Sequence, residues 1–220
     1  MRVEEIISEI YDVHFNKCRD LAETFLRFQE YYENPHFRGK FFSMDEFKEW
    51  YIANSPHCEK TGRFTYYEDW DGFNVPSTIL RPFYHGEFDP LTVPEKRLLD
   101  KFEAKIGDRF YLIGTHGKAC AVAQKHEISH GLFFNNPNYR RQVLRVVRGL
   151  NTGDRKKIND FLREYGGCHP DFFDDETAAY LTDRRCLGAN GVSSEGLAEA
   201  GMKIKRIFRE FYNPTSKNYK

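Results

Sequence analysis

The sequence predicts an α+β protein that is mostly helical and contains a small β-sheet. Apolar residues recur every three or four positions over most of the 220-residue chain, which is typical of helices with one buried face. Two short segments, residues 64–67 and 109–114, have the aromatic and β-branched composition of strands. Since no internal repeat or low-complexity linker interrupts the pattern, one domain is expected over residues 1–220. Residues 1–90 are expected to form one wall of a cleft and residues 91–212 the other.

The composition is that of a globular protein without a strongly charged partner. Hydrophobic residues make up 40% of the chain and charged residues 30%, and 33 basic residues balance 33 acidic ones. This balance gives no reason to expect nucleic acid or an anionic membrane as a partner. No run approaches the roughly 18 apolar residues of a transmembrane helix, and the acidic N-terminus lacks the apolar core of a signal peptide. A cytoplasmic location is therefore expected.

The cysteines give no sign of a disulfide framework. Cys18, Cys58, Cys120, Cys168 and Cys186 are odd in number and widely spaced, and no C-x-x-C occurs. Reduced thiols are therefore expected instead of disulfides or a cysteine-rich zinc site. Cys168 lies close in sequence to the candidate third metal ligand described below. A structural role for this thiol is favoured over a role as nucleophile or metal ligand.

The N-terminal part is predicted to begin with helices. Apolar spacing over residues 3–32 predicts one long helix or two consecutive ones, which end before Pro35. Ser43 and Glu46 form a capping box that opens a short helix. Residues 64–67 then predict a short strand.

An aromatic-rich stretch at residues 66–88 precedes a second capping box. Its rings are interleaved with glycine and proline, which predicts an irregular aromatic layer. Core packing is favoured, with the wall of a substrate cleft as the alternative. Thr92 and Glu95 then open a helix that Gly107 closes. Residues 109–114 predict a buried strand that could offer its edge to an extended substrate.

The most informative motif is His126-Glu127-Ile128-Ser129-His130, which spells H-E-x-x-H in a segment predicted to be helical. Two histidines four residues apart lie on the same helix face, so both imidazoles can reach one metal ion. Glu127 lies about 100° round the helix from His126, close enough to hold a metal-bound water without being a ligand. The alternative is two buried histidines bonded to carbonyl groups; the metal-binding spacing and the adjacent Glu127 favour the metal site over it.

Further helices are predicted after this motif. Asn136 is expected to cap a helix over residues 137–150, whose arginines are interpreted as a solvated face. Another helix is expected at residues 154–165, a loop at residues 183–194, and an amphipathic helix at residues 194–212.

A third metal ligand is expected from the acidic run Asp174-Asp175-Glu176. This run begins a predicted helix, and the small residues that follow allow close packing against the motif helix. Glu176, Asp175 and the nearby His169 are the candidates for this ligand. The alternative is an acidic first helical turn that complements the helix dipole and needs no metal.

The two motifs together carry a family resemblance. H-E-x-x-H followed by D-E-x-x-A, here Asp175 to Ala179, resembles the gluzincin group of zinc metallopeptidases, to which thermolysin belongs. The resemblance implies a zincin-like fold and one zinc ion per chain, with Glu176 as the third ligand after His126 and His130. Thermolysin-like enzymes have an aspartate four residues after the ligand glutamate, where this chain has Tyr180.

The expected activity is metal-assisted hydrolysis of a peptide or amide bond in a peptide or protein substrate. Zinc lowers the pKa of bound water towards 7, and Glu127 is the expected general base. The reaction also needs a hydrogen-bond donor to the oxyanion that forms from the carbonyl group. Tyr180, Tyr139 and His169 are candidates, and Tyr180 is the predicted donor.

Two alternatives remain open. The same ligands could hold Fe²⁺ in an oxygenase, because two histidines and a carboxylate also form the non-haem iron site. The metal could also be structural, in a binding module that contacts its partner through the aromatic layer.

Overall fold

The protein is described by a computed structural model that covers residues 1–70, 72–117, 121–166 and 169–213. These residues form a mostly helical α+β structure with one four-stranded sheet, which confirms the predicted class. The strands are β1 (Arg2–Ile7), β2 (Ile10–Phe15), β3 (Phe73–Pro76) and β4 (Tyr111–His116). The helices are α1 (Cys18–Glu33), α2 (Met44–Asn54), α3 (Pro56–Thr61), α4 (Tyr66–Asp69), α5 (Arg81–Tyr84), α6 (Val93–Phe102), α7 (Ala121–Asn135), α8 (Pro137–Arg148), α9 (Thr152–Phe161), α10 (Phe173–Thr182), α11 (Arg185–Ala189) and α12 (Glu195–Phe211). The predictions for Cys120 and Cys168 lie outside the described residues.

The strands pair in the order β1-β2-β4-β3. The predicted strand at residues 109–114 is present as β4, shifted by two residues. It pairs with β3 in antiparallel register, with Phe73 opposite Gly114, and with β2 on its other side. The expectation that this strand offers its edge to a substrate is therefore wrong, because the backbone groups on both sides of β4 are already paired.

The helix predicted over residues 3–32 begins only at residue 18. Before it, β1 and β2 form a hairpin whose two-residue turn places Glu9 in the left-handed region with φ 58°. Ile6, Ile10 and Val13 are fully buried. The helical prediction failed here because β-branched residues favour strands, and long-range pairing with β4 fixes that choice.

Local signals predicted some of the remaining N-terminal elements correctly. Both predicted capping boxes are present, Ser43 with Glu46 before α2 and Thr92 with Glu95 before α6. The predicted strand at residues 64–67 is wrong, because this segment leads into the short helix α4.

The chain divides into two compact units. Unit 1 comprises Met1–Val3 and Asp12–Ala119, and unit 2 comprises Glu4–Tyr11 and Cys120–Lys220. The sequence pattern assigned α6 and β4 to the second part of the chain. Both belong to unit 1, where α6 packs on α1 and β4 pairs with β3.

The core of unit 1 is rich in aromatic rings. Tyr66, Phe73, Phe83 and Phe88 are each at most 2% exposed, which confirms core packing as the role of most of the aromatic layer. α1 packs closely on the sheet, since a Cβ atom at Gly114 would lie 2.5 Å from the Leu21 side chain.

Glu30 is a buried acidic group in this core. Its carboxylate accepts hydrogen bonds from the Tyr66 hydroxyl at 2.7 Å and from Asn34 Nδ2 at 2.6 Å. Burial nevertheless raises the pKa of Glu30 to about 7, despite these two donors. The folded protein therefore binds a proton at Glu30 over a pH range in which the unfolded chain has lost it.

Glu30 is expected to make unit 1 less stable as pH rises. Its contribution is fully present below the unfolded pKa of about 4.3 and is lost as pH rises through the folded pKa of about 7, a change on the order of 3 kcal/mol. Glu30→Gln should remove this part of the pH dependence. Urea unfolding at pH 5 and pH 8, followed by the fluorescence of Trp50 and Trp70 in unit 1, measures it. If the free energy of unfolding changes equally between pH 5 and pH 8 in the unmodified protein and in Glu30→Gln, the assignment is contradicted.

Unit 2 is built from packed helices around α7, α8, α10 and α12. Gly131 of α7 lies against the hairpin, where a Cβ atom would come within 2.8 Å of the Ile10 side chain. Asn135, the last residue of α7, donates from Nδ2 to the Glu9 carbonyl at 2.7 Å. These contacts fix α7 against the hairpin turn.

Three predicted segments of unit 2 correspond to helices whose bounds differ from those expected. The helix expected at residues 154–165 ends at residue 161 and continues as a π-helical turn, Leu162–Gly166. The expected loop at residues 183–194 contains α11. The predicted C-terminal helix is present as α12, and Ser194 caps it by accepting from the Leu197 amide at 3.0 Å. In the described ranges no helix combines the length and the apolar character needed to cross a bilayer.

Candidate metal centre

Two imidazoles of α7 face one another at the centre of the site. His126 and His130 are one helical turn apart, and their Nε2 atoms are 3.2 Å from each other. Two donors about 2.05 Å from a tetrahedral zinc ion are about 3.3 Å apart, so this separation suits a shared ion. Both Nε2 atoms must present lone pairs to bind a metal, whereas a direct hydrogen bond between them requires a proton on one.

Glu176 of α10 supplies the carboxylate that meets both histidines. Its Oε2 lies 3.6 Å from His126 Nε2, and its Oε1 lies 3.6 Å from His130 Nε2. One donor atom from each residue can be chosen so that all three lie within 4.8 Å of one another. The His126 side chain is 20% exposed, and those of His130 and Glu176 are 3% and 12% exposed. Two imidazole nitrogens and one carboxylate oxygen are a donor set that suits zinc or iron.

Asp175 lies on the opposite side of the His130 ring. Its Oδ1 is 3.1 Å from His130 Nδ1, so Glu176 approaches one nitrogen of the ring and Asp175 the other. This contact is close but poorly aligned, because Asp175 Oδ1 is buried without a hydrogen bond of good geometry. A carboxylate beside the non-ligating nitrogen is the arrangement that orients metal-binding histidines. The sequence allows Asp175 as an alternative third ligand. In the structure Asp175 lies beside Nδ1 of His130 and not beside the nitrogen that faces Glu176.

The charges of the site favour a cation among these groups. Burial disfavours the charged form of His130, but the carboxylates of Asp175 and Glu176 outweigh it and hold the pKa of His130 well above its usual value. Burial raises the pKa of Asp175. Burial also opposes ionisation of Glu176, yet His130 and His126 hold the pKa of that carboxyl below its usual value. Either a proton or a divalent metal ion can supply the positive charge that this arrangement favours.

The third acid of the run, Asp174, anchors α10 from its other side. Its carboxylate accepts hydrogen bonds from Arg155 Nη1 at 2.8 Å and from Arg148 Nε at 3.1 Å. Burial would raise the pKa of Asp174, but these guanidinium groups hold it below its usual value. Successive residues of a helix point about 100° apart. Asp174 therefore meets the two arginines, Asp175 meets Nδ1 of His130, and Glu176 meets the Nε2 atoms of both histidines.

Tyr180 is the only one of the three proposed oxyanion donors whose ring contacts a predicted ligand in the described interactions. Its ring centroid is 4.5 Å from that of His126 and 5.2 Å from that of Phe161. Tyr139 is fully buried, and its hydroxyl is 2.8 Å from Ser129 Oγ, so it is committed to the core of unit 2. His169 accepts a hydrogen bond from the Asp171 amide at 3.3 Å and is not part of the ligand group.

Glu127 is half-buried beside the ligand group. Its charge contributes to the raised pKa of His130, which indicates that it lies near the ring. Among the described residues it is not one of the three clustered donors, as expected for a residue about 100° round the helix from His126.

Two features of the site were missed at the sequence level, namely the contact of Asp175 with His130 Nδ1 and the binding of Asp174 by two arginines. The available signal was the run of three acids, since consecutive helical residues cannot all face one metal ion.

No family model matches this chain, and no curated protein and no solved structure is significantly similar to it.

Proposed function

We propose that the protein is a metal-dependent hydrolase, a zinc metallopeptidase that cleaves a peptide or amide bond. The observation that carries this proposal is the convergence of His126 Nε2, His130 Nε2 and the Glu176 carboxylate on one point, with Glu127 beside the first histidine. The proposal includes the gluzincin resemblance and a zincin-like arrangement of the helices. One zinc ion per chain is the proposed cofactor, and a peptide or protein is the proposed substrate.

The ligand set fits a catalytic ion better than a structural one. A structural zinc site has four protein ligands, whereas a catalytic site has three and leaves a position for water. The described residues bring three donors together. A zinc ion held by His126, His130 and Glu176 would supply Lewis acidity and would lower the pKa of a bound water molecule towards 7.

The residues around the ion have distinct roles in this proposal. His126, His130 and Glu176 hold the ion, and Asp175 orients the His130 ring. Glu127 would accept a proton from the water molecule that attacks the carbonyl carbon and would pass this proton to the leaving amine. Tyr180 is the proposed hydrogen-bond donor to the developing oxyanion, since its ring is already positioned against His126. Glu127 favours a hydrolase over an iron oxygenase, because oxygen chemistry does not require a base at that position.

Protein purified without added metal is expected to contain about one transition-metal ion per chain, because the three donors converge on a single site. Elemental analysis measures the content, and anomalous scattering at the zinc edge places the ion. Chelation should abolish hydrolysis of a peptide library, and zinc should restore it. A metal-free but folded and active protein would contradict the proposal. Iron together with oxygen consumption would favour the oxygenase.

A further inference from the structure

The solvent-exposed side of α8 is positively charged. The buried residues of this helix, Tyr139, Val143 and Val147, form one stripe. The opposite side carries three exposed arginines, Arg141, Arg145 and Arg148, and the helix contains no acidic residue. Arg140 is half-buried and lies between them and the buried stripe. We call the four arginines, Arg140, Arg141, Arg145 and Arg148, the arginine face.

The arginine face has no acidic partner on its own helix. Ion pairs one helical turn apart occur on other helices, as in Arg19–Glu23, Lys96–Asp100, Lys156–Asp160 and Lys203–Glu199. On α8, Arg141 and Arg145 are four residues apart, and Arg148 follows three residues later. Like charges at these spacings destabilise a helix, so this pattern does not stabilise a helix face that contacts only solvent.

Most of the arginine face has no carboxylate partner in the described part of the chain. The Arg145 guanidinium makes no hydrogen bond or ion pair there, and Arg141 contacts the Asn138 side chain. Arg140 lies over the Phe133 ring, 5.9 Å from its centroid. Only Arg148 binds a carboxylate, that of Asp174, while 67% of the Arg148 side chain remains exposed.

The arginines also line an open depression of about 410 Å³. Pro137 and Leu144 provide its apolar surface. The site therefore offers guanidinium groups next to an apolar contact, which suits a ligand with both anionic and apolar parts.

The spacing of the arginines indicates the form of this ligand. Residues four apart on a helix are about 6 Å apart along its axis, as are Arg141 and Arg145. Side chains at alternate positions of an extended peptide are about 6.6 Å apart, so two carboxylates can each meet one guanidinium. A formal net charge of zero disfavours nucleic acid, whose binding domains are usually strongly basic. We propose that the arginine face binds a short, extended acidic segment of a partner polypeptide.

This binding goes beyond the proposed hydrolase activity and does not need the metal. It is tested on full-length, chelator-treated protein with a fluorescent eight-residue peptide that has glutamate at alternate positions. Its affinity is measured by anisotropy beside that of the matched glutamine peptide. The Arg141→Gln/Arg145→Gln protein is expected to bind the glutamate peptide about tenfold more weakly than the unmodified protein. Added salt should weaken binding, because the contacts are solvent-exposed.

The matched control is Arg206→Gln/Arg209→Gln, which removes the same charge from exposed positions of α12. It should change the affinity by no more than about twofold, within the range expected of surface charges outside a contact. Circular dichroism verifies that both variants are folded. Equal weakening in both variants, no preference for the glutamate peptide, or tighter binding of a single-stranded oligonucleotide of equal charge would each overturn the proposal.

Discussion

Glu127→Gln is expected to lower the rate of peptide hydrolysis by about 10²–10⁴-fold, the range typical of removing a general base. The amide keeps the size of the side chain but cannot accept the proton. Since Glu127 is not one of the three clustered donors, metal content and folding should stay unchanged. Turnover of a peptide library, elemental analysis and circular dichroism measure the three quantities on one preparation.

Glu199→Gln provides the matched control for this experiment. Glu199 is exposed on α12 and makes only a 3.9 Å ion pair with Lys203 among its described contacts. Its replacement should leave turnover unchanged. A Glu127→Gln protein that keeps full activity would remove the general base from the mechanism, and one that loses its metal would make Glu127 a ligand.

Glu176→Gln is expected to weaken metal binding by at least the 10–100-fold typical of losing even an outer partner. The amide oxygen that remains is an uncharged and weaker donor to a divalent cation. Asp175→Asn should cause a smaller loss, since Asp175 approaches His130 at Nδ1 and not at the nitrogen that faces Glu176. Competition with a chelator of known affinity measures the dissociation constants.

The ranking of these two variants decides which acid is the ligand. A site that Asp175→Asn empties and Glu176→Gln leaves filled would assign the ligand role to Asp175. Zinc-edge scattering from both variants verifies that any remaining ion is still bound between His126 and His130.

Features with short sequence separation were predictable from the sequence. The four-residue spacing of His126 and His130 places both rings on one face of α7, whatever surrounds that helix. The capping boxes at Ser43 and Thr92 depend on side chains three residues apart, and both are present. The acidic start of α10 likewise identified the segment that brings Glu176 to the histidines.

Features that depend on long-range partners were not predictable. Residues 3–15 satisfy a helical spacing, but pairing of β2 with β4, about 100 residues later in the chain, makes them a hairpin. The same pairing encloses β4 and removes the free edge that the sequence allowed. The partner of each acid in the run 174–176 also depends on other elements, because Arg148, Arg155 and His130 come from three different helices.

The sequence by itself therefore determined the mostly helical α+β class, the helix that carries the two histidines, and the acidic segment that provides the carboxylate. The helical spacing of apolar residues and motifs of a few residues are enough for these three predictions. Only the tertiary structure decided that Glu176 meets both Nε2 atoms, that Asp175 lies beside His130 Nδ1, and that Asp174 is bound by arginines. The physical reason is that a helix fixes the directions of its side chains relative to one another, whereas the packing of helices in unit 2 fixes what each direction meets.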